Sequence, residues 1–316
     1  MIIVLGDILA DVSLRIPSFP VQAGSLLRAE YFELGPGGAT NVAIMAARLG
    51  LPVACLGEVG DDRFGELVLE GLRTEGVDVS GVTITPGAET PVAGVIVDQS
   101  GEPAYLGYPG SLQLRALPDS WQAPIRSAQA LYADGWAEHD GVPPIILEGL
   151  RQAHLAGVPT FFDPGPGNPA VDRGWLSEAA ALAEVLLATE DEARALTGRS
   201  DPMASARELL SRGPKLVVLK RDVAGCVLIT HDEVRIAPGL PVEARDATGA
   251  GDSLDAALIY GYLHGLPLAD LGTLANATGA AKVQKLGTGH NLPTLDEIRA
   301  MLERFDVDPA GLLPVP

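Results

Sequence analysis

A short polar stretch in the last third of the chain reads Asp246-Ala247-Thr248-Gly249-Ala250-Gly251-Asp252. Apolar residues recur every four positions over 254–262, so the stretch predicts a helix N-terminus. Because residues 249–251 carry little or no side chain, their backbone N–H groups can approach a ligand closely, and the unpaired donors of a first turn favour an anion. Asp252 would then accept a proton from a hydroxyl that attacks a phosphoryl group. On this stretch alone, an ordinary acidic N-cap is an equal alternative.

The composition indicates a soluble globular protein of 316 residues, 47% of them hydrophobic and 20% charged. A formal net charge of −19 disfavours binding to nucleic acid or to an anionic membrane, because both call for clustered Lys and Arg. Cys55 and Cys226 lie in apolar runs, which argues against a disulfide framework and favours a reducing cytoplasm. Residues 1–7 lack a basic region and are too short for a signal peptide or a membrane span, so they predict a buried strand.

Strand and helix patterns alternate along most of the chain, which predicts a mostly parallel sheet flanked by helices. Strands are expected at 1–7, 53–59, 130–133, 159–163, 185–188, 216–219 and 227–230. Helices are expected at 42–49, 62–74, 144–156, 189–198, 254–262, 268–284 and 295–303.

Residues 80–112 interrupt this alternation. Strand patterns at 92–98 and 103–108 predict a β-hairpin, and residues 12–34 also lack a helical period. We therefore expect a small β lid that excludes water from the chemistry. The lid would comprise 12–34 and 88–111, over an α/β core comprising 1–11, 35–87 and 112–316.

Two polar residues near predicted strand and helix ends are candidates for binding a substrate. Asp11 follows the first strand, and ligands in open α/β sheets lie at the carboxyl ends of strands; a solvated loop carboxylate is the alternative. Asn41 follows a glycine turn at 34–40 that feeds a helix. Its amide either faces the same crevice and bonds a hydroxyl, or caps its own loop.

The run 189–198 predicts a capped helix with acids crowded into its first turn. These acids either bind water molecules in the hydration shell of a metal or interact favourably with the positive end of the helix dipole. In the lid, Tyr105 and Tyr108 offer surfaces on which a ring could stack, although one of the two is expected to be lid core.

Residues 251–254 spell Gly-Asp-Ser-Leu, the nucleophile signature of the GDSL hydrolases, with Ser253 as the nucleophile. Those enzymes carry it near the N-terminus and pair it with a later Asp-x-x-His. None of the five histidines here has an Asp three positions before it, so a Ser–His–Asp site lacks its partner. The sequence also lacks the residues that define a zinc motif, a dinucleotide fingerprint or a Walker motif.

Several stretches, taken in order, resemble the PfkB, or ribokinase-like, carbohydrate kinases across essentially the whole chain. Residues 246–252 are similar to the D-x-T-G-A-G-D signature of that family. The other stretches that occur in family order are 6–11, the turn before Asn41, 57–65, 192–198 and 276–277. The resemblance implies a three-layer α/β/α fold with a mostly parallel central sheet, plus a small β lid that often also forms a homodimer interface.

The resemblance also implies the reaction, which is transfer of the γ-phosphoryl group of ATP to a substrate hydroxyl with Mg²⁺ as cofactor. It implies Asp252 as general base, with Gly249, Ala250 and Gly251 as anion hole. Substrate contacts are implied for Asp11, Gly37, Gly38, Asn41 and Tyr108, and nucleotide contacts for Lys220, Gly225, Asn276 and Thr248. Metal contacts are implied for Glu192, with Mg²⁺ held through water, and for Asp246, beside a monovalent cation such as K⁺ that some relatives use.

The chain departs from the family pattern at four places. Thr189 stands where N-x-x-E has Asn, and Asp222 replaces the first Gly of the nucleotide loop. Leu9 stands where ribokinases usually have Asn, which argues against ribose as the default substrate. The glycine pair before Asn41 is shifted by one residue, toward Gly37-Gly38.

Residues 91–111 contain no Lys or Arg, and an anion excluded from water needs a compensating charge. The sequence therefore predicts a neutral sugar as substrate, with Arg15 and Arg28 as the remaining basic candidates for an anionic one. A nucleoside that stacks on a lid tyrosine is the alternative within kinases. A non-catalytic sugar- or nucleotide-binding protein is the alternative outside them.

Overall fold

The computed structural model describes residues 1–136, 145–165 and 174–314, and its central feature is a long twisted sheet. Its strands in chain order are β1 Ile2–Leu5, β2 Ile8–Arg15, β3 Tyr31–Gly38, β4 Val53–Gly60, β5 Asp78–Thr85, β6 Val92–Val97, β7 Pro103–Tyr108, β8 Ala130–Asp134, β9 Thr160–Asp163, β10 Val185–Thr189, β11 Leu216–Lys220, β12 Cys226–Ile229 and β13 Val234–Ala237. Within the described ranges, nine of them form the central sheet, in the order β13-β12-β11-β10-β9-β8-β1-β4-β5. Neighbours from β5 to β11 run parallel, and β12 and β13 are antiparallel additions.

Helices cover both faces of this sheet. They are α1 Thr40–Arg48, α2 Arg63–Thr74, α3 Asp119–Arg126, α4 Ile145–Leu155, α5 Gly174–Leu182, α6 Glu190–Thr197, α7 Pro202–Ser211, α8 Ala250–Leu263, α9 Leu268–Val283 and α10 Leu295–Arg304. The seven predicted helices are present, and position 144, where one was expected to begin, lies outside the described residues. None of the described helices combines the length and the apolar character that a bilayer span requires.

Two apolar cores lie on opposite faces of the sheet, because successive strand side chains point to opposite sides. Val4 packs into the core beneath α1, α2, α8, α9 and α10. Its neighbours Ile3 and Leu5 pack into the core beneath α3 to α7. This three-layer arrangement confirms the predicted fold class.

The remaining four strands form a second sheet, in the order β3-β2-β6-β7, which is the predicted lid with its β6–β7 hairpin. This sheet reaches further than the expected boundaries, because Ile8–Arg15 pairs along its whole length with Tyr31–Gly38. The expectation of a glycine turn at 34–40 is therefore wrong for 34–38, which belong to β3. Glycine is required there for space, since a Cβ on Gly37 would overlap the Asp11 carboxyl group.

Candidate active site

A cavity of about 870 Å³ lies between the carboxyl ends of the central strands and the inner face of the lid. Its walls include Asp134, Asp163 and Lys220 at strand ends and Tyr105 from the lid. Of the residues predicted for the site, the following line it: Asp11, Gly38, Asn41, Tyr108, Glu192, Lys220, Gly225, Thr248, Gly249, Ala250, Gly251, Asp252 and Asn276. Gly37 and Asp246 were also predicted, but they lie behind the cavity wall.

The glycine-rich stretch forms the predicted helix start at one wall of this cavity. Gly249 is the N-cap of α8 and takes the left-handed backbone conformation, with φ of 74°, which glycine adopts without strain. Ala250 donates its N–H to the carbonyl of Ala247 at 3.1 Å, so that donor is used by the turn. Among the described residues, no acceptor takes the N–H groups of Gly251 and Asp252, which remain available to an anion.

Asp252 is held from a different helix and does not cap its own. Asn41, at the start of α1, donates from Nδ2 to Asp252 Oδ2 at 2.9 Å. Burial raises the pKa of Asp252 to about 6, and the Asn41 hydrogen bond and the nearby Asp163 carboxylate act in opposite directions on it. This carboxylate is ionised at neutral pH yet basic enough to take a proton. The N-cap alternative therefore does not describe its contacts.

Asp11 lies at the lid side of the cavity, buried and oriented by one hydroxyl group. Thr288 Oγ1 donates to Asp11 Oδ2 at 2.6 Å, and the bare backbone of Gly37 leaves room for the carboxyl group. Burial raises the pKa of Asp11 to about 7 against the effect of the Thr288 bond, and the Asp252 charge raises it further. Asp11 is therefore not the solvated loop carboxylate that sequence position alone favoured.

Three consecutive residues of the turn after α9 hold three of the predicted site residues. The backbone N–H of Gly287 donates to Asp246 Oδ2 at 2.7 Å, and Thr288 binds Asp11 as described. The N–H of Gly289 donates to Asn41 Oδ1 at 3.1 Å. This turn was missed from the sequence; its only signal is the pattern of alternating glycines, both of which have positive φ.

A buried charge cluster lies at the base of the cavity. Lys220 Nζ lies 2.7 Å from Asp163 Oδ2 and 3.3 Å from Asp255 Oδ2. Burial alone would lower the pKa of Lys220, but these two carboxylates outweigh it and raise that pKa above its ordinary value. Asp163 and Asp255 were not among the predicted residues, although Asp255 follows Asp252 by one helical turn.

The predicted nucleotide residues gather at the other end of the cavity. Asn276, on α9, donates from Nδ2 to the carbonyls of Ala237 and Pro238 at 2.9 and 3.0 Å, and so holds the chain after β13 in place. Gly225 follows the short turn after β11 with φ of 87°, and a Cβ there would overlap the backbone of that same segment. Thr248 is buried in the turn before Gly249.

Glu192 lines the cavity, but its contacts are those of a capping box. Thr189 is the N-cap of α6; its Oγ1 accepts from the Glu192 N–H at 3.2 Å, and its own N–H donates to Glu192 Oε2 at 2.7 Å. Thr189 thus serves as N-cap where the family pattern has Asn. Among the described residues, no three His, Cys, Asp or Glu side chains converge as a metal site on their own.

Aromatic residues form the mouth of the cavity. Tyr105 packs edge to face against Trp136 with ring centroids 5.9 Å apart, and Tyr108 bonds Glu89 through its hydroxyl group. Tyr105 and Tyr108 are each 48% exposed, so the expectation that one of them is lid core is wrong. The lid also bonds the loop before α8 directly, because Ala247 N–H donates to the carbonyl of Gly101 at 2.9 Å.

The hydrolase alternative finds no support in the position of Ser253. Its side chain is completely buried and donates from Oγ to the carbonyl of Gly249 at 2.8 Å. A serine nucleophile needs an exposed hydroxyl group and an adjacent base, and this hydroxyl group has neither exposure nor a histidine among its bonds.

Comparisons with known proteins agree with the geometry. A family model described as pfkB family carbohydrate kinase matches residues 1–295. An ATP-dependent ribose-1-phosphate kinase from Halopiger xanaduensis is 32% identical over 302 residues, 95% of this chain and 98% of that protein. The ribokinase of Mus musculus is 30% identical over 92% of this chain and 91% of its own. The structure of Arabidopsis thaliana ribokinase complexed with ribose and ATP has the same fold, with a TM-score of 0.81 at 23% identity over 96% of this chain and 98% of that one. The resemblance seen in the sequence is confirmed: the chain belongs to the pfkB family and is a carbohydrate kinase.

Proposed function

We propose that this kinase transfers the γ-phosphoryl group of ATP to a hydroxyl group of a small neutral sugar, with Asp252 as general base. The observation that carries this proposal is the placement of Asp252. Its carboxylate stands in the first turn of α8, beside available backbone N–H groups, and is fixed by Asn41 at 2.9 Å. A base and an anion hole in one helical turn suit attack by a hydroxyl group on a phosphoryl group.

In this reaction the substrate oxygen forms a bond to the γ-phosphorus while the bond from that phosphorus to the β–γ bridging oxygen breaks. The hydroxyl proton passes to Asp252, and ADP leaves with the bonding electron pair. The N–H groups of Gly251 and Asp252 hold the negative charge of the transferring group. Asp11, with its carboxylate fixed by Thr288, binds a second hydroxyl group of the sugar and so orients the attacking one.

Mg²⁺ would neutralise the phosphate oxygens of bound ATP, and the donors present fit such an ion. Mg²⁺ in kinases takes one or two carboxylates besides phosphate oxygens and water. Glu192 uses Oε2 in its capping box, which leaves Oε1 to a metal-bound water. Burial and the Asp163 carboxylate raise the pKa of Glu192, and a divalent cation would offset both effects.

The charges around the cavity favour a neutral substrate. Asp11, Asp134, Asp163 and Asp252 all line it, and an anionic sugar would meet their repulsion. The basic residues in the described part of its lining are already paired: Lys220 with two aspartates and Arg221 with Glu190 at 2.9 Å. Arg15 and Arg28, the other basic candidates, are not part of that lining.

A nucleoside is the second candidate substrate, and the observation that favours it is the aromatic pair at the cavity mouth. Tyr105 and Trp136 are half-exposed and pack edge to face, so either ring presents a face on which a base could stack. The hydroxyl chemistry at Asp252 would be the same. The two substrate classes therefore differ only at the mouth.

We further propose that the lid forms a homodimer through its outer face. Strand register places Leu34, Val12, Gly94 and Leu106 in one row, on the face opposite Asp11. Leu106 is 65% exposed and Leu34 37% exposed, and an exposed apolar sheet face is typical of an interface.

The test is ADP release with a panel of substrates that contains ribose, fructose, ribose 1-phosphate and inosine. We expect a neutral sugar to give the highest kcat/KM. Replacement of the base by Asp252→Asn should lower the rate at least ~10²-fold, whereas Ser253→Ala should leave it nearly unchanged.

Wild-type turnover in the Asp252→Asn variant would overturn the assigned role. A preference for ribose 1-phosphate would overturn the neutral-substrate proposal, and a preference for inosine would favour the nucleoside alternative. Tight binding of nucleotide with no ADP release on any substrate would support a binding protein instead.

A further inference from the structure

A buried lysine lies where the family resemblance implied a monovalent cation. Lys282 is in the last turn of α9 and is 0% exposed. Its Nζ donates to the backbone carbonyl oxygen of Asp246 at 3.3 Å and to that of Lys285 at 3.4 Å. No carboxylate among the described residues lies within ion-pair distance of this ammonium group. It is therefore bound by carbonyl oxygens, as a K⁺ ion would be.

The Asp246 carboxylate is oriented by the backbone and not by a metal. Its Oδ1 accepts from the Thr248 N–H at 2.9 Å, and its Oδ2 accepts from the Gly287 N–H at 2.7 Å. Both oxygens are thus used to join the loop before α8 to the turn after α9. Lys282 lies between the same two segments, so a second cation there would face its positive charge. The residues present do not fit a separate monovalent ion.

The position of Lys282 also places its charge beneath the anion hole. A Cβ built on Gly249, the N-cap of α8, would lie 3.5 Å from Lys282 Cε. Burial lowers the pKa of Lys282 to about 8, and the carboxylates of Asp246 and Asp252 oppose that effect, so most of the side chain stays protonated at pH 7. Positive charge at this point adds to the partial charge of the helix N-terminus, where the transferring phosphoryl group is held.

We propose that the ammonium group of Lys282 is a built-in cation that replaces K⁺ at the Asp246 loop, fixing the loop and supporting the anion hole. The catalytic consequence rests on the proposed kinase reaction, whereas the site itself can be tested by stability alone. The kinase is then independent of monovalent cations, although its sequence carries the loop that suggests such a site.

The experiment compares wild type, Lys282→Ala, Lys282→Met and Lys285→Ala in choline chloride buffer free of Na⁺ and K⁺, with KCl replacing choline chloride at constant ionic strength. Lys285 is the matched control, because its ammonium group binds Glu297 at 2.7 Å. Its hydrogen bonds with Lys282 come from backbone atoms, which alanine retains. Both kcat with the preferred substrate and Tm are measured.

We expect KCl to change kcat and Tm of wild type and Lys285→Ala by little, less than ~2-fold in kcat. Lys282→Ala should lose about tenfold or more in kcat, and KCl should restore much of it and raise its Tm. In Lys282→Met the methionine side chain fills the space of the lysine without its charge. This variant should therefore lose activity, and KCl should not restore it. The conservative size of methionine keeps the test valid if the alanine variant folds poorly.

A wild-type kcat that rises more than ~5-fold with KCl would overturn the proposal, as would full activity of both Lys282 variants in choline chloride. The Tm response to KCl is read independently of catalysis. It therefore still decides the proposal if no substrate of the panel is phosphorylated, a result that would refute the proposed function alone.

Discussion

Replacing Asn41 by leucine should move the pH dependence of the kinase more than its stability. Asn41 Nδ2 donates to Asp252 Oδ2 at 2.9 Å, and this bond lowers a pKa that burial has raised to about 6. A hydrogen bond to a charged group contributes about 1.5–3 kcal/mol. Since one pKa unit corresponds to about 1.4 kcal/mol, its loss should raise the pKa of Asp252 by ~1–2 units.

The base acts only when ionised, so kcat/KM of the wild type should rise with pH through about 6 and then level off. In Asn41→Leu the same rise should come ~1–2 pH units later, and most of the activity should return at pH 9. The assay is direct chromatographic measurement of ADP between pH 5 and 9, which avoids coupling enzymes with their own pH limits. Thermal unfolding at each pH controls for the bond that Asn41 Oδ1 accepts from Gly289.

Ser253→Ala is the control, because Ser253 bonds the carbonyl of Gly249 and not the carboxylate. Its profile should rise near the wild-type pH. If Asn41→Leu lowers kcat/KM by the same factor at every pH, with the rise still near 6, Asn41 does not act through the ionisation of Asp252. That result is incompatible with a hydrogen bond from Asn41 that lowers the pKa of Asp252.

Three further outcomes are expected. Thr288→Val removes the hydrogen bond to Asp11 and lets burial raise the pKa of Asp11 beyond about 7. KM for the sugar at pH 7 should therefore rise ~2- to 10-fold and recover at pH 9. An unchanged KM would argue against Asp11 as a substrate ligand. Leu106→Arg should give a monomer by sedimentation if the lid face is the interface, and a dimer that persists would contradict that proposal. Asp252→Asn removes a buried charge whose pKa is raised from 3.8 to about 6, so the native state should gain about 1–3 kcal/mol at pH 8. That gain is lost as the pH falls toward 4, and a Tm difference that is the same at both pH values would exclude this origin.

The central strands could be predicted from the sequence because they are buried on both faces and read as continuous apolar runs. The strands β5 and β13 were not predicted, and they are the two edges of the central sheet. Most residues of β5 and β13 are exposed or only half-buried, so neither carries such a run. Among the helices, α3 has Pro124 in its interior, which masks a helical pattern.

The site divides along a similar line. Asp252 and Asn41 could be named because each follows a glycine-rich stretch that leads into a helix, and the fold brings them within a hydrogen bond. The bond itself could not be predicted, since 211 residues separate them. Asp163 could not be predicted, because a single acid at a strand end has no distinguishing sequence pattern. Only the fold shows that Lys220 lies beside it.

The turn after α9 shows why the residues that orient this site are harder to predict from the sequence than the residues that line it. Three successive residues, 287–289, hold Asp246, Asp11 and Asn41, and two of the three bonds come from backbone N–H groups. Any residue that can adopt this backbone conformation could donate these two hydrogen bonds. The sequence therefore shows only the conformation, through glycines at positions 287 and 289 with φ of 74° and 55°. The donors that orient the acids are thus set by where α9 ends, and Lys282, in its last turn, binds the same loop. A substitution that shifts the end of α9 should therefore disturb Asp11, Asn41 and Asp246 together, although it touches none of them.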